Sequence, residues 1–488
     1  MPSSSDHTAA IASAYESYDA LGLAELVRKK EVSPEELLDV AIARAEELNP
    51  RYNFLAKKHY DYARAALARG LPDGPFTGVP FLVKDLNTFI KGEPTGQGSR
   101  YWNGYIAPAT SEIVKRHERA GLVIFGKTAA PELGLTATTE SLANGITHNP
   151  WDPTRTSGGS SGGAAVAVSS GVLPLAHGTD GGGSLRIPAS CCGLFGLKTS
   201  RGRTPMGPPH TEGWGGMSVH HGLSHSVRDS AALLDATQGI EPGSRYGAPT
   251  PERPYLEEVG FDPGRLRIAL SVSPPTGSPV DPECVEAVRA AARLCENLGH
   301  HVEEAEPKLD MDAIGQGRFT ITAASVAATI QERQAATGIP PGPDVLETVT
   351  LAYYQIGLKS TGADYARGND ALQKGALAVS QFLDTYDLWM MPTLAAPPLE
   401  IGRLSLSNTD VEAYYHTVGT FASFTGLFNA TGQPAMSVPL GMSKGGLPIG
   451  VQFVARYGDE ATLFRMAAQL ERAAPWARRR PPINLPAK

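Results

Sequence analysis

The sequence predicts an α/β protein in which an extended sheet is covered by helices on its faces. Short apolar runs of strand length recur along the chain, and helical patterns such as 111–120 and 282–298 separate several of them. Strands that alternate with helices indicate this architecture. The apolar runs lie at 79–83, 122–126, 266–272, 388–391, 435–440 and 449–455. A chain of 488 residues with 41% hydrophobic residues can bury the core that such a sheet needs.

The clearest helix start lies near the N-terminus. Ser33, Pro34 and Glu36 form a capping box with proline at the first helical position. Apolar residues then fall on one face, and Asn49-Pro50 is expected to end the helix. The apolar residues are Leu37, Leu38, Ile42, Ala45 and Leu48.

The chain is expected to form one domain over 1–488, although its length alone would allow about three. Its expected parts are a helical N-terminal region over about 1–70, a catalytic core over about 71–240, a Pro/Gly-rich linker at 241–264, a helical insertion or lid over about 310–385, and a C-terminal sheet with helices over about 386–488. Residues 310–385 carry few strand signals, and substrate pockets often lie beside such insertions.

Composition argues against several classes of partner. The formal net charge is −7, so the basic field of a nucleic-acid-binding protein is missing. No run reaches the roughly 18 apolar residues that span a bilayer. Residues 1–7 show no leader peptide, and a cytoplasmic protein is therefore expected. The four cysteines, including adjacent Cys191 and Cys192, lack disulfide or metal spacing and are expected to pack in the core.

Two motif matches fail on their context. Residues 121–128 fit the phosphate-binding pattern G-x-x-x-x-G-K-[ST], but the apolar strand follows the first glycine instead of preceding it. Residues 158–162 fit the nucleophile elbow G-x-S-x-G, but a polar loop with two prolines stands where a strand is required. His220, His221 and His225 lack the spacing of a zinc site, so a structural role is expected for them.

Two glycine-rich segments and one lysine carry the chemistry. The segments are 157–163, SGGSSGG, and 179–186, TDGGGSLR. Glycines around a serine let backbone N–H groups converge, and such donors stabilise the oxyanion that forms when a serine attacks a carbonyl. Lys84 closes the apolar run 78–83, and burial there would lower its pKa and make it a general base. At a solvent-exposed strand end it would only pair with Asp85. The leading hypothesis is a serine hydrolase with a Ser-Ser-Lys relay.

These segments together resemble the amidase signature family, and the resemblance extends over most of the chain. Its motifs are 78–85, 126–128, 157–163, 178–198, 432–435 and 448–452. Within the family, 201–239 and 470–481 resemble the nylon-oligomer (aminohexanoate cyclic dimer) hydrolases most. The resemblance implies a single large, mixed, twisted sheet flanked by helices, cleavage of linear or cyclic amide C–N bonds, and no metal or organic cofactor. It leaves a homodimer open.

The resemblance also implies a role for each matching residue. Ser184 would be the nucleophile, Ser160, preceded by a cis peptide bond, the bridging serine, and Lys84 the terminal base. The oxyanion hole would be formed by the N–H groups of Gly181, Gly182, Gly183 and Ser184, and the supporting side chains would be Asp180, Arg186 and Ser157, the last bonded to Lys84 or to the glycine turn. Relatives often carry a larger residue at the place of Gly181, and this departure would loosen the loop.

The substrate remains open at this stage. A carbamate (urethane) or ester hydrolase with the same site is one alternative, and the glutaminase subunit of a tRNA-dependent amidotransferase is another. Ile187 disfavours the glutaminase, because such subunits usually carry another residue before the proline. The pocket is expected from 130–150, 205–220, 310–360 and 415–430, whose apolar character favours a hydrophobic or aryl amide over a charged one. Its candidate lining residues are Trp151, Trp214, Phe319, Tyr353 and Phe428.

Overall fold

A computed structural model describes residue 11 and residues 15–483 of the chain. The segment 1–7, in which the sequence shows no leader, lies outside the described residues. None of the helices in the described part is long and apolar enough to cross a bilayer.

Strands and helices alternate along the chain, as the sequence predicts. The strands are β1 (Leu55–Lys58), β2 (Pro80–Lys84), β3 (Val123–Thr128), β4 (Glu140–Ser141), β5 (Gly145–Ile146), β6 (Leu175–Asp180), β7 (Phe195–Lys198), β8 (Val219–Ser224), β9 (Arg267–Leu270), β10 (His301–Glu304), β11 (Leu388–Pro392), β12 (Ala435–Met442) and β13 (Pro448–Ala455). The α-helices are α1 (Ala20–Arg28), α2 (Pro34–Tyr52), α3 (Tyr60–Arg69), α4 (Glu112–Arg119), α5 (Gly162–Ser169), α6 (Arg186–Cys192), α7 (Val227–Thr237), α8 (Tyr255–Glu258), α9 (Pro282–Asn297), α10 (Met311–Thr337), α11 (Thr348–Lys359), α12 (Gly362–Leu383), α13 (Val411–Phe421), α14 (Gly426–Thr431) and α15 (Glu460–Ala473).

The strands form one large mixed sheet and two smaller sheets. The large sheet has eight strands in the order β10-β9-β11-β13-β12-β7-β8-β6, and β1-β3-β2 and β4-β5 form the others. The predicted α/β class is confirmed, but the strand of Lys84, β2, pairs with β3 outside the large sheet. It packs beside β6, where its last N–H donates to Nδ1 of His177 at 3.2 Å. Between β2 and β6, a hydrogen bond to a side chain thus takes the place of the backbone hydrogen bonds that pair strands within a sheet.

All six apolar runs form strands, and the capping box is confirmed. Ser33 Oγ accepts from the Glu36 N–H at 3.2 Å, and the Glu36 carboxylate accepts from the Ser33 N–H at 2.8 Å. The predicted end at Asn49-Pro50 is wrong, since α2 continues to Tyr52. The helix ends where Asn53 adopts the left-handed conformation and returns its N–H to the Asn49 carbonyl.

The predicted helical insertion consists of α10, α11 and α12, which cross at glycines. A methyl group on Gly357 would lie 2.0 Å from the carbonyl oxygen of Ala323, and one on Gly317 would lie 2.8 Å from that of Gly368. Because these glycines have no side chain, the backbones of the helices can lie in direct contact. The crossing fixes the turn of α10 that carries Arg318.

Replacing Gly357 by alanine should destabilise this helical unit. We expect a loss of about 1–3 kcal/mol in the free energy of unfolding, because the added methyl has no room at the crossing. The matched control is Gly362→Ala, where no atom lies within 4 Å of the new methyl group. Urea-induced unfolding measures both variants, and equal stability of the two would refute the packing argument.

Candidate active site

Lys84 is buried, as the chemistry requires. Its side chain is 0% exposed, and Nζ contacts three hydroxyls: Ser160 Oγ at 2.7 Å, Thr179 Oγ1 at 2.8 Å and Ser161 Oγ at 3.0 Å. Burial lowers the pKa of Lys84 well below its ordinary value, and the charge of Asp180 opposes this only in part. The alternative of an exposed strand end is therefore wrong.

The Ser161 hydroxyl fixes the direction of one hydrogen bond at Nζ. Ser161 Oγ donates to the Thr179 carbonyl at 3.1 Å and accepts from the Thr179 N–H at 3.2 Å, so its hydrogen is not free for Lys84. A neutral amine offers two N–H donors and one lone pair. A neutral amine that directs its two donors at Ser161 and Thr179 turns its lone pair to Ser160. The geometry then suits proton transfer from Ser160 to Lys84.

Two buried imidazoles continue the contacts behind Lys84. The Lys84 N–H donates to His177 Nδ1, so His177 carries its hydrogen on Nε2 and donates it to His220 Nδ1 at 2.9 Å. Burial lowers the pKa of His220 to about 3 and that of His177 well below its ordinary value. Both rings are thus neutral near pH 7 and add no charge beside the lysine.

The other histidines singled out in the sequence have structural partners. His221 Nε2 bonds Ser230 Oγ at 2.8 Å, and His225 Nε2 bonds the Val168 carbonyl at 2.9 Å. Both side chains are buried, and burial lowers the pKa of each to about 3. Sequence reasoning missed His177, because an isolated histidine inside a strand gives no motif.

Ser160 lies in a tightly packed turn. Its peptide bond to Gly159 is cis, as expected, and a methyl group on Gly159 would lie 2.2 Å from the Thr138 carbonyl oxygen. Ser161 precedes α5, but its side chain does not cap the helix. Ser157 donates to the carbonyl of the next glycine at 3.3 Å and does not bond Lys84, so only the second of its two expected contacts is present.

A buried ion pair holds the loop that carries Ser184. Asp180 accepts from the N–H groups of Gly183 at 2.7 Å and Leu185 at 3.1 Å, and Arg186 meets the same carboxylate at 3.0 Å. Burial alone would raise the pKa of Asp180, but the Arg186 guanidinium holds it far below its ordinary value. Asn429, which sequence reasoning missed, donates to Asp180 at 2.9 Å.

The loop offers fewer free donors than the four predicted. Because the Gly183 N–H is already bonded to Asp180, it cannot also serve an oxyanion. The N–H groups of Gly181, Gly182 and Ser184 have no acceptor among the described residues. These three are the donors that converging glycines leave available.

A cavity of about 390 Å³ lies above this loop, and Ser184, 8% exposed, borders it. All four segments expected to form the pocket contribute to its lining, and Trp214, Phe319 and Tyr353 line it as predicted. Ser160 lies just behind the cavity wall, since a methyl group on the lining residue Gly134 would stand 3.1 Å from its Oγ. Ser184 therefore borders the cavity, and Ser160 lies behind the lining residue Gly134.

Two predicted lining residues lie elsewhere. Phe428 is fully buried and packs edge-on against Trp389, with ring centroids 5.6 Å apart, because α14 turns this side chain into the core. Trp151 lies outside the cavity lining and donates from Nε1 to the Cys192 carbonyl at 2.9 Å. Both predictions of cavity contact are wrong.

The indole ring of Trp214 packs against Gly181. A methyl group on Gly181 would lie 2.8 Å from Cε3 of the indole and 2.9 Å from Ser218 Oγ. The ring thus fills the space of a larger side chain at 181.

The remaining motif matches have no ligand role in the described structure. Within residues 15–483, no three His, Cys, Asp or Glu side chains are grouped to hold a metal ion, and all four cysteines are buried and unpaired. Residues 121–128 include strand β3, and Lys127 Nζ donates to the Thr88 carbonyl at 2.9 Å and to Thr95 Oγ1 at 2.5 Å. A phosphate loop is therefore excluded here.

Comparison with known proteins identifies the family of the chain. The family described as Amidase matches residues 36–464. The chain is 40% identical over 486 residues to 6-aminohexanoate-cyclic-dimer hydrolase of Paenarthrobacter ureafaciens. This alignment covers 96% of this chain and 97% of that protein. The chain belongs to the amidase signature family. This amidase is accordingly a hydrolase that acts on amide C–N bonds.

Solved structures and a further relative extend the likeness. A structure of 6-aminohexanoate cyclic dimer hydrolase complexed with substrate superposes with a TM-score of 0.91 at 39% identity, covering 95% of this chain and 98% of that one. A bacterial aryl acylamidase gives a TM-score of 0.86 at 25% identity, covering 94% and 97%. The putative amidase AmiB2 of Mycobacterium tuberculosis is 39% identical over 92% of this chain and 94% of that protein.

Replacing Thr179 by valine should impair the amidase without unfolding it. The change removes one acceptor for Lys84 Nζ and adds no charge. We expect kcat/KM for an anilide substrate to fall about fivefold, because one buried hydrogen bond contributes roughly 1 kcal/mol. Thr179→Ser keeps the hydroxyl and should keep most of the activity. Equal activities of the valine and serine variants would show that this hydroxyl does not orient the amine.

Proposed function

We propose that this amidase forms an acyl-enzyme on Ser184, with Ser160 as the bridging hydroxyl and Lys84 as the terminal base. The observation that carries the proposal is the 2.7 Å contact between the buried Lys84 Nζ and Ser160 Oγ. A buried lysine without a carboxylate on its amine is suited to accept a proton near neutral pH.

Acylation begins with the neutral amine. Lys84 takes a proton from Ser160, which takes one from Ser184 as the Ser184 oxygen attacks the amide carbonyl carbon. The free N–H groups of Gly181, Gly182 and Ser184 stabilise the resulting oxyanion. Ser160 then passes its proton to the leaving nitrogen and recovers one from the Lys84 ammonium. The C–N bond breaks, the amine departs, and the acyl group remains on Ser184.

Hydrolysis of the acyl-enzyme uses the same groups. Water gives its proton to Ser160 as it attacks the ester carbonyl, and Lys84 again takes up the proton that Ser160 releases. Collapse of the second tetrahedral species returns a proton to Ser184 and frees the carboxylic acid. The substrate and one water molecule are the only reactants that these steps take from outside the chain.

The cavity supports a small-molecule amide with an apolar body. Rings of Phe319, Tyr353 and Tyr415 meet there with centroids 5.1–5.6 Å apart. The names of the relatives point the same way, since they describe a cyclic-dimer hydrolase and an aryl acylamidase. An acyl-enzyme does not require nitrogen as leaving atom, so carbamates and esters belong in the substrate panel.

Intact-mass detection of the acyl group tests the proposal. We expect an adduct on wild-type enzyme mixed with anilides, aminohexanoate oligomers or carbamates, and none on Ser184→Ala. Lys84→Ala should lower turnover by at least about 10³-fold, as expected for a residue that acts within a catalytic unit. The control is Ser169→Ala, a buried serine bonded to the Cys192 carbonyl at the far end of α5. An adduct that survives Ser184→Ala would refute the assignment of the nucleophile.

The pH profile tests the base separately. Because the protonated lysine cannot accept a proton, kcat/KM should rise with pH as Lys84 deprotonates and then level off. Burial lowers the pKa of Lys84, so the rise should be centred below its ordinary value of 10.5. The buried imidazoles stay neutral above about pH 4 and should add no further step. The same rise in the residual activity of Lys84→Ala would assign it to another group.

A further inference from the structure

One charged side chain enters the cavity. Arg318, on the first turns of α10, lines it together with Ser184. Among the described residues that form the lining, no aspartate, glutamate, lysine or histidine is present. The substrate space therefore carries a single positive charge and no compensating carboxylate.

Arg318 has no partner within the described part of the chain. Its Nε is buried without a hydrogen bond, and no described residue forms an ion pair with the guanidinium. Tyr415 Oη and Ser423 Oγ, which also belong to the lining residues, are likewise buried and unpartnered. Buried polar atoms without a hydrogen bond are unfavourable, and the half-buried guanidinium beside them has no anionic partner in the described part of the chain. A ligand that supplies acceptor oxygens would remove this cost.

The guanidinium lies close to the loop of the proposed nucleophile. A methyl group on Gly426 would stand 2.4 Å from Arg318 Nη2, and one on Gly182 would stand 3.7 Å from the same atom. Gly426 thus provides the space in which the guanidinium lies. Arg186, the other nearby guanidinium, is already paired with Asp180 and is no competitor for a ligand.

We infer that the cavity binds amides that carry a carboxylate, which is held by Arg318 with the Tyr415 and Ser423 hydroxyls as further donors. A planar guanidinium binds a carboxylate through two parallel hydrogen bonds, which suits an otherwise apolar site. This inference rests on the proposed function, since it names the substrate class of the same site. It also changes the sequence-based expectation of an uncharged amide, because only the body of the substrate is apolar.

Two matched substrate pairs test the inference on either half of the amide. In the first pair, glutaric acid monoanilide carries a carboxylate on the acyl half, and its methyl-ketone isostere is uncharged. In the second pair, the para-carboxyanilide of butyric acid carries the carboxylate on the amine half, and its para-acetyl isostere is uncharged. In at least one pair, wild-type kcat/KM should favour the acid by about tenfold or more, as a charge-assisted hydrogen bond predicts.

Variants of the cavity assign this preference to Arg318. Arg318→Met should lower kcat/KM for the preferred acid about 10- to 100-fold, mainly through KM, and change that of the ketone less than about threefold. Arg318→Lys should restore part of the loss. Gly426→Ala keeps the charge but displaces the guanidinium, and should reduce the acid preference as well. Arg333→Met is the control, because Arg333 lies on the same helix and donates to the Tyr101 carbonyl at 2.9 Å, outside the cavity lining.

The outcomes separate this inference from the proposed function. Equal wild-type kcat/KM for acid and ketone in both pairs, or an equal loss for both in Arg318→Met, would overturn the role of Arg318. If the ketones still acylate Ser184, the proposed function stands without it. If no compound acylates Ser184, the proposed function itself fails.

Discussion

The burial of the Lys84 amine is the constraint on which the rest of the site depends. Three hydroxyl oxygens lie around Nζ, the imidazoles behind it are neutral, and no carboxylate of a described residue contacts the amine. Asp180 is the carboxylate that acts on the lysine, but its charge is engaged by Arg186. Burial therefore dominates and lowers the pKa of Lys84 well below its ordinary value.

The Asp180–Arg186 pair links this electrostatic balance to the shape of the nucleophile loop. The carboxylate orders the loop through the N–H groups of Gly183 and Leu185, which leaves the neighbouring amides free. Arg186 extends the network to Asn429 at 2.7 Å and to Gln452 at 2.7 Å. Two C-terminal elements, α14 and β13, thus help to hold a loop that precedes them by more than two hundred residues. Removing either charge would leave the other buried and unpaired.

The sequence allowed the prediction of groups whose local pattern is tied to chemistry. Lys84 stood out at the end of an apolar strand, the serines of two glycine-rich segments stood out as a group, and six strands stood out as apolar runs. The resemblance to the family then assigned the roles of Ser160 and Ser184 among those serines. Strands such as β8 were not predicted, since Val219–Ser224 contains two histidines whose burial depends on tertiary packing. The same holds for the side chains of the cavity. Nothing in the pattern of α10 distinguishes Arg318 from solvent-facing arginines, and Phe428 points to the core only because of the turn into α14.

Neutron crystallography of the deuterium-exchanged enzyme near neutral pH locates the protons of the site directly. Two deuterons on Lys84 Nζ, directed at Ser161 and Thr179, are expected, together with a deuteron on Ser160 Oγ that points to Nζ. Three deuterons on Nζ would show a charged lysine at rest, which contradicts its role as the base.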